Sequence, residues 1–339
     1  MRAGDFIAVG ENIHCTRIYK VGGKFCGQRE DGSPAIFYGQ GRAERALSVP
    51  VCFTQNADWT AGKVKHCQVA IWQGVNGDAA GQAAGRAYLE YLASSQEAAG
   101  ATYLDINVDE YSTDVEERVR LMEWAVDVVQ GAASIPASID SSNIDILAAG
   151  LRACDRQRGR PMVNSVSLER ADAIDTAATH NAVVIASAAG EKGLPSTQEE
   201  RMGNIDRVIG KLRESGLAAA DIHIDPLVFP ISTDGRNGVN FLETVAAVRA
   251  QYGPEIHIVA GLSNISFGMP SRKLINQVFA WLSVEAGADG GIVDPEQING
   301  AILRELDPEC EPFRLARALL TGEDDFGMEF ISASRSGRV

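Results

Sequence analysis

Eight short runs rich in β-branched residues recur along this chain, separated by amphipathic helical patterns. The runs are Phe6–Ile13, Thr102–Val108, Ile135–Asp140, Met162–Val166, Ala182–Ser187, Ile222–Asp225, Ile256–Gly261 and Gly290–Val293. The helical patterns include Ala79–Ala98, Val115–Val129, Ile144–Cys154, Glu199–Glu214, Phe241–Gln251 and Arg272–Glu285. After the first run, successive starts fall roughly 20 to 40 residues apart, the spacing of βαβ units. Eight such units predict an α/β fold of the closed (β/α)8 TIM-barrel class. A doubly wound open sheet is the competing arrangement. No GxGxxG follows the first strand, so a dinucleotide site lacks support.

One gap breaks the rhythm. Roughly ninety residues separate the first run from the second, where a barrel unit needs about thirty. With Ala79–Ala98 as the helix before the second strand, His14 to Asn76 becomes an insertion rich in glycine and polar residues (KVGGKFCGQREDGSPAIFYGQGRAER). It departs where a first strand ends, so it is expected over the C-terminal face of the barrel, as a lid, a partner-docking surface or both. The 339 residues thus read as a single barrel domain with residues 14–76 inserted. The closing MEFISASRSGRV reads as a loosely held tail.

A net charge of −14 argues against nucleic acid or an anionic membrane as partner. The chain has no apolar run of about 18 residues, and MRAGDFIAVGENIH lacks a signal-peptide core. Six cysteines without a CxxC pair fit a reducing compartment. The expectation is a cytoplasmic protein.

Polar residues gather at the strand ends. Glu11 and Asn12 end the first strand, Asp105 and Asn107 the second, Asp140 the third, Asn164 and Ser165 the fourth, Asp225 the sixth and Asn264 the seventh. In a barrel these converge on one mouth. Each alone is explained as a cap for the next helix. Recurrence across six strands points further, because caps also use Ser, Thr and Gly. A mouth rich in Asp and Asn and poor in Lys and His suits a neutral heterocycle bearing N–H and C=O groups. A phosphate would ask for Lys, Arg or a glycine-rich loop. The segment IHIVAGLSNISFGMPSRKLIN (Ile256–Asn276) combines strand, polar loop and helix in one stretch.

The strand ends GENI, YLDINV, IDSSN, MVNS, HIDPL and GLSNISFGMPSR together resemble the pterin-binding methyltransferases. These barrel enzymes move a methyl group between methyltetrahydrofolate and a corrinoid cobalt, and are related to dihydropteroate synthase. The resemblance covers Phe6–Ile13 and Ala79–Leu320 and leaves out the insertion. It implies that Asp140, Asn164 and Asp225 hydrogen-bond the pterin and that Asn264 approaches the methylated ring nitrogen as the catalytic residue. Arg272 matches the family's arginine after the seventh strand, and Asp105 and Asn107 match its second-strand pair near the pterin. It further implies 5-methyltetrahydrofolate or tetrahydrofolate as substrate and a corrinoid (cobalamin) carried on a partner protein, since DxHxxG is absent here. A homodimer is compatible with it. The insertion departs from the family and puts the docking of the corrinoid protein in doubt.

Removing a methyl from a tertiary amine requires that nitrogen to gain positive character, which Asn264 would support by a hydrogen bond without a fixed charge. Two other readings compete. A dihydropteroate synthase-like enzyme expels pyrophosphate and needs a cationic site, for which the SFGMPSR loop offers one arginine. A non-catalytic folate-binding scaffold for a corrinoid protein would bind without turnover. Lesser signals remain. Cys15, Cys26, Cys52, Cys67, His14 and His66 lie in or beside the insertion and suggest either a zinc site or, since no ligand-pair spacing appears, ordinary thiols and histidines. Phe25, Phe37, Tyr38, Phe53, Trp59 and Trp72 are expected to pack the insertion's own core. His223 reads as a barrel-wall residue. Gly190–Gly193 resembles a flexible loop whose Lys192 would reach a folate's glutamate tail.

Overall fold

The computed structural model describes residues 6–39 and 45–339; residues 40–44, part of the glycine-rich stretch of the insertion, and the first five lie outside it. The expected strands form as β1 (Ile7–His14), β2 (Tyr103–Asn107), β3 (Ala137–Asp140), β4 (Met162–Val166), β5 (Val183–Ser187), β6 (Ile222–Asp225), β7 (His257–Gly261) and β8 (Gly290–Val293). They close into a barrel in the order β1-β8-β7-β6-β5-β4-β3-β2. The helices that alternate with the strands are α1 (Ala79–Ala98), α2 (Val115–Ala132), α3 (Ile144–Ala153), α4 (Asp172–Thr179), α5 (Gln198–Glu214), α6 (Asn237–Tyr252), α7 (Arg272–Glu285) and, after the last strand, α8 (Glu311–Leu320). This is the TIM-barrel class expected from the strand–helix rhythm.

Strand β5 (VVIAS) is buried at every position, as a strand with apolar layers on both sides must be. Val9, Met162, Val183, Ile185 and Val259 pack together. They come from β1, β4, β5 and β7, so they meet only by facing inward and filling the lumen. Burial of each such side chain is worth about 1.5–3 kcal/mol. Strand β8 approaches β1 so closely that a side chain at Gly290 would place its Cβ 2.0 Å from the Ile7 carbonyl oxygen. Helix starts are set by local capping, worth about 1 kcal/mol each. The Asp114 carboxylate accepts the Glu117 N–H at 3.1 Å. Asn143 accepts from Asp145 and Ile146. Thr197 Oγ1 accepts the Glu200 N–H, and the Glu200 carboxylate accepts the Ser196 N–H in return.

The chain packs as two compact units. The first holds the chain up to Gly10, Ala99–Tyr103 and Met162–Val339; the second holds Glu11–Ala98 and Leu104–Pro161. In the first, His223 is buried, stacks on His257 with ring centroids 4.8 Å apart, and meets the Tyr103 ring edge-on. Burial and the neighbouring His257 push its pKa down to about 4, so it stays neutral, as a barrel-wall residue should. The C-terminal segment differs from its expectation. Met328–Arg335 is a helix whose Phe330 and Ala333 are fully buried, and the Asp324 carboxylate accepts the Glu329 and Phe330 N–H groups. Its apolar spacing docks it, so it is no loose tail.

In the second unit the strand before the insertion runs one residue further than expected, to His14. The insertion itself is ordered secondary structure. Cys26–Gln28, Pro34–Tyr38 and Arg45–Ser48 form an antiparallel sheet, and Ile18–Lys20 pairs with Lys63–Lys65. Its aromatic residues pack partly on one another, as with Phe53 and Trp72, and partly on the barrel helix α1, where Tyr38 meets Tyr88 and Tyr91. Cys15 donates its N–H to the Asn107 carbonyl, and Lys65 pairs with Glu110, which joins the insertion to the carboxyl end of β2. Among the described residues no helix is long and apolar enough to cross a membrane.

Candidate active site

Of the residues singled out in the second unit, Asp105 lies within β2 and is 1% exposed, and Asn107 closes that strand, also buried. The Asn107 side-chain oxygen accepts the Asp109 N–H, an Asx turn that starts the loop. Asp109 then clamps the neighbouring loop. Its carboxylate accepts from the Ser141 hydroxyl at 2.6 Å and from the Ser142 N–H and hydroxyl at 2.7 Å each. Asp140 ends β3 and meets His14 Nε2 at 3.1 Å. His14 Nδ1 accepts the Thr16 N–H, which assigns the ring hydrogen of the neutral form to Nε2, so His14 donates to Asp140. Burial by itself lowers the imidazole's pKa. The hydrogen bond to Asp140 and the charges of Asp140 and Asp105 outweigh it and raise the value above that of a free histidine.

In the first unit, Asn164 sits in β4 at the point where the register with β5 shifts, and its peptide bond to Ser165 is cis. Asp225 ends β6. Its Oδ1 accepts the Leu227 N–H at 2.8 Å, a second Asx turn, and this holds Leu227 at a φ of 69°. Burial pushes the Asp225 pKa up to about 6, against the N–H groups of Leu227 and Gly261 and the positive charge of Arg201. A carboxyl at that value is ionised at neutral pH and takes up a proton within about a unit below it.

Asn264 lies in a turn of 3-10 helix, Leu262–Ser266, directly after β7, with its side chain exposed. A Cβ on Gly261 would approach Asn264 Nδ2 at 3.1 Å, so the glycine of GLSN leaves room for that amide. Arg272 braces the same loop. Its Nε donates to Ser266 Oγ at 2.9 Å, a terminal nitrogen donates to the Ser263 carbonyl, and its guanidinium lies over the Phe267 ring at 4.9 Å. Arg272 therefore ties down residues on both sides of Asn264, the Ser263 carbonyl before it and the Ser266 hydroxyl after it.

A family model described as pterin binding enzyme matches residues 87–294, from within α1 to the end of β8. The chain belongs to the pterin-binding enzyme family. This pterin-binding chain is 33% identical over 262 residues to a methylcorrinoid:tetrahydrofolate methyltransferase of Eubacterium limosum, a match covering 75% of this chain and 89% of that one. It is an enzyme of the family's methyltransferase group. It is also 30% identical over 222 residues to methionine synthase of Mycobacterium tuberculosis, covering 61% of this chain and 18% of that longer protein. Among solved structures, the dihydropteroate synthase of Yersinia pestis with a pterine–sulfa conjugate aligns at a TM-score of 0.50 and 17% identity, over 74% of this chain and 89% of that one. At that identity the likeness speaks for the shared barrel fold alone.

Three residues that engage the strand ends of this pterin-binding enzyme lie outside the strand-end motifs. His14 reads as the first residue of an insertion, Asp109 as one more loop acid, and Arg201 as a charge on an amphipathic helix. Arg201 follows the Thr197 cap by one turn and is 3% exposed, with its guanidinium 5.0 Å from the Phe229 ring centroid. A charged residue on the buried face of α5 breaks that helix's pattern, and this was the available clue. Two weaker readings resolve differently. His66 is buried, accepts from the Tyr88 hydroxyl or donates to it at 3.0 Å, stacks on Tyr19 and has its pKa pushed down to about 3 by burial. The adjacent Cys67 thiol is pushed up to about 12. Among the described residues no three His, Cys, Asp or Glu gather where they would hold a metal ion. The Gly190–Gly193 loop is a closed turn, with reciprocal N–H to carbonyl bonds of 3.0 and 3.2 Å between the two glycines, and Lys192 stands exposed on it.

Proposed function

We propose that this enzyme transfers a methyl group between 5-methyltetrahydrofolate, or its demethylated form tetrahydrofolate, and a corrinoid carried by a separate protein. Membership of the pterin-binding family and the likeness to the Eubacterium limosum methyltransferase support the reaction class. The observation that carries the reading is Asp225, a carboxylate held in place by its own loop at a strand end and desolvated enough to titrate near pH 6. Such a group gains more from paired N–H donors of an aminopyrimidinone than from water.

In this reading Asp140, Asn164 and Asp225 hold the pterin, with Asp105 and Asn107 beside it. The Asn264 amide hydrogen-bonds the ring nitrogen as its methyl bond breaks or forms, stabilising the charge that develops there. Arg272 acts through the loop it braces, keeping Asn264 in register. The corrinoid supplies the cobalt that accepts or releases the methyl. The insertion, joined to the end of β2, is our candidate for the surface that receives the corrinoid protein.

The test is direct. Mixed with methyltetrahydrofolate and reduced cobalamin, the protein should change the cobalt spectrum as methyl is transferred. Asn264→Ala should lower that rate about 100-fold while changing folate affinity less than about threefold. Equal loss of rate and affinity would contradict a transition-state role, and folate binding without any transfer to an authentic corrinoid protein would leave only a scaffold.

A further inference from the structure

We propose that Arg201 is a ligand-contact residue. Its guanidinium donates to the ring carbonyl next to the N–H groups that Asp225 accepts, and so makes the site selective for 4-oxo over 4-amino pteridines. The proposal rests on the reading of this site as a pterin site and adds a donor that the strand-end motifs do not contain.

Burial makes a specific demand of an arginine. The side chain carries five N–H donors and no acceptor, and it stays charged at any pH the protein meets. Buried arginines are held by carboxylates or carbonyl oxygens, because an unpaired buried donor loses its water without replacement. Arg201 is 3% exposed, yet its Nε is buried with no hydrogen-bond partner, and among the described residues its guanidinium forms no ion pair. What it touches is the face of Phe229. Stacking holds the planar fork in one orientation but satisfies none of its donors.

Its place in the fold directs those donors. Arg201 stands in the first turn of α5, fixed by its own N–H to the Thr197 carbonyl, and Phe229 lies in the loop that follows Asp225. The guanidinium is close enough for its charge to act on Asp225, and burial of the arginine is partly offset by that carboxylate. The groups that bear on Asp225 are the Leu227 and Gly261 N–H groups from its own loop and from β7, and Arg201 from α5. A carboxylate beside an idle guanidinium presents two acceptors and then a donor. The edge of an aminopyrimidinone presents the complement: the 2-amino N–H, the ring N–H and the adjacent carbonyl oxygen. A bare structural ion pair would have closed onto Asp225 and left neither group available.

The test uses tetrahydrofolate and its 4-amino-4-deoxy counterpart, which puts an amine in place of that carbonyl and also strips the adjacent ring nitrogen of its hydrogen, with affinities measured by calorimetry at pH 8 on the full chain. Wild type should prefer the 4-oxo ligand about 100-fold, since a site built to donate leaves its donor unpaired against the amine. Arg201→Gln should weaken the 4-oxo ligand about 10- to 100-fold and the 4-amino ligand less than about threefold, so the preference shrinks to the share owed to the ring N–H that Asp225 accepts. Arg201→Lys, which keeps the charge without the fork, should retain part of it, and it carries the same measurement if the Gln variant does not fold by circular dichroism. A preference left intact in the variants, or equal weakening of both ligands, would overturn the assignment and reduce Arg201 to an electrostatic support of Asp225. If wild type binds neither ligand and Asp225→Asn changes nothing, the pterin reading itself has failed. Loss of binding in Asp225→Asn with unaltered selectivity in the Arg201 variants would sink the arginine alone.

Discussion

The strand ends of the two units solve the same problem in opposite ways. In the second unit, Asp109 is saturated by the protein itself, taking three hydrogen bonds from Ser141 and Ser142, while Asp140 takes one from His14 and keeps acceptor sites for a ligand. In the first, Asp225 has its carboxyl desolvated and its pKa raised, and a buried arginine nearby has an unpartnered Nε. Saturated acids stabilise loops. A desolvated one carries a cost in the free protein that a ligand with matching donors and acceptors removes. The contrast sets Asp109, which braces a loop, against Asp225, which is poised for a ligand, although both are acids at or just past the end of a barrel strand.

Asp225→Asn offers the largest effect on that contrast. It should weaken tetrahydrofolate binding by about 100-fold or more, and yet stabilise the free protein at pH 8. The sign follows from the raised pKa: the ionised form carries a penalty in the folded state above about pH 6, relieved as pH falls through about 6 toward the unfolded value near 4. The shift of about two pKa units amounts to about 3 kcal/mol, so chemical denaturation should show wild type gaining stability from this group on acidification to pH 5 while the variant does not. A variant that both loses the ligand and melts lower at pH 8 would break the distinction.

Asp109→Ala comes next and should behave in reverse. Removing the acceptor of three hydrogen bonds should cost about 2–3 kcal/mol of stability, while protein that remains folded binds folate within about threefold of wild type. Loss of binding without loss of stability would move Asp109 to the binding side.

His14→Gln is the smallest test, at about 1 kcal/mol. Because the His14 pKa is raised, its ionic contribution is fully present below about pH 6.5 and is lost as pH rises through the folded value. The stability difference between wild type and variant should therefore shrink between pH 6 and pH 9. A difference that grows over that range would show that Asp140 is not the group His14 answers to.

Much of the fold was legible. The run Ala182–Ser187 became β5 within one residue, and Ile222–Asp225 became β6 without change, because short runs enriched in Val and Ile between helical patterns are buried strands in an α/β chain. Helix starts were legible for the same local reason, since Asp114, Asn143 and Thr197 act within three residues of themselves. The insertion was not. Its strands are three to five residues long and bracketed by glycines, too short to carry a period. The C-terminal helix was missed because Phe330 and Ala333 look exposed until the surface that buries them is known.

The positions of the eight strands along the chain and the placing of acids and amides at their ends were settled by local chemistry, since strand period and capping depend on near neighbours. How each of those acids is engaged was decided only by the tertiary structure. Asp140 meets a histidine 126 residues away, Asp109 meets serines more than thirty residues on, and Asp225 feels an arginine from the preceding unit's helix. Hydrogen-bond saturation depends on the distance between side chains in space, and no pattern along the chain encodes it.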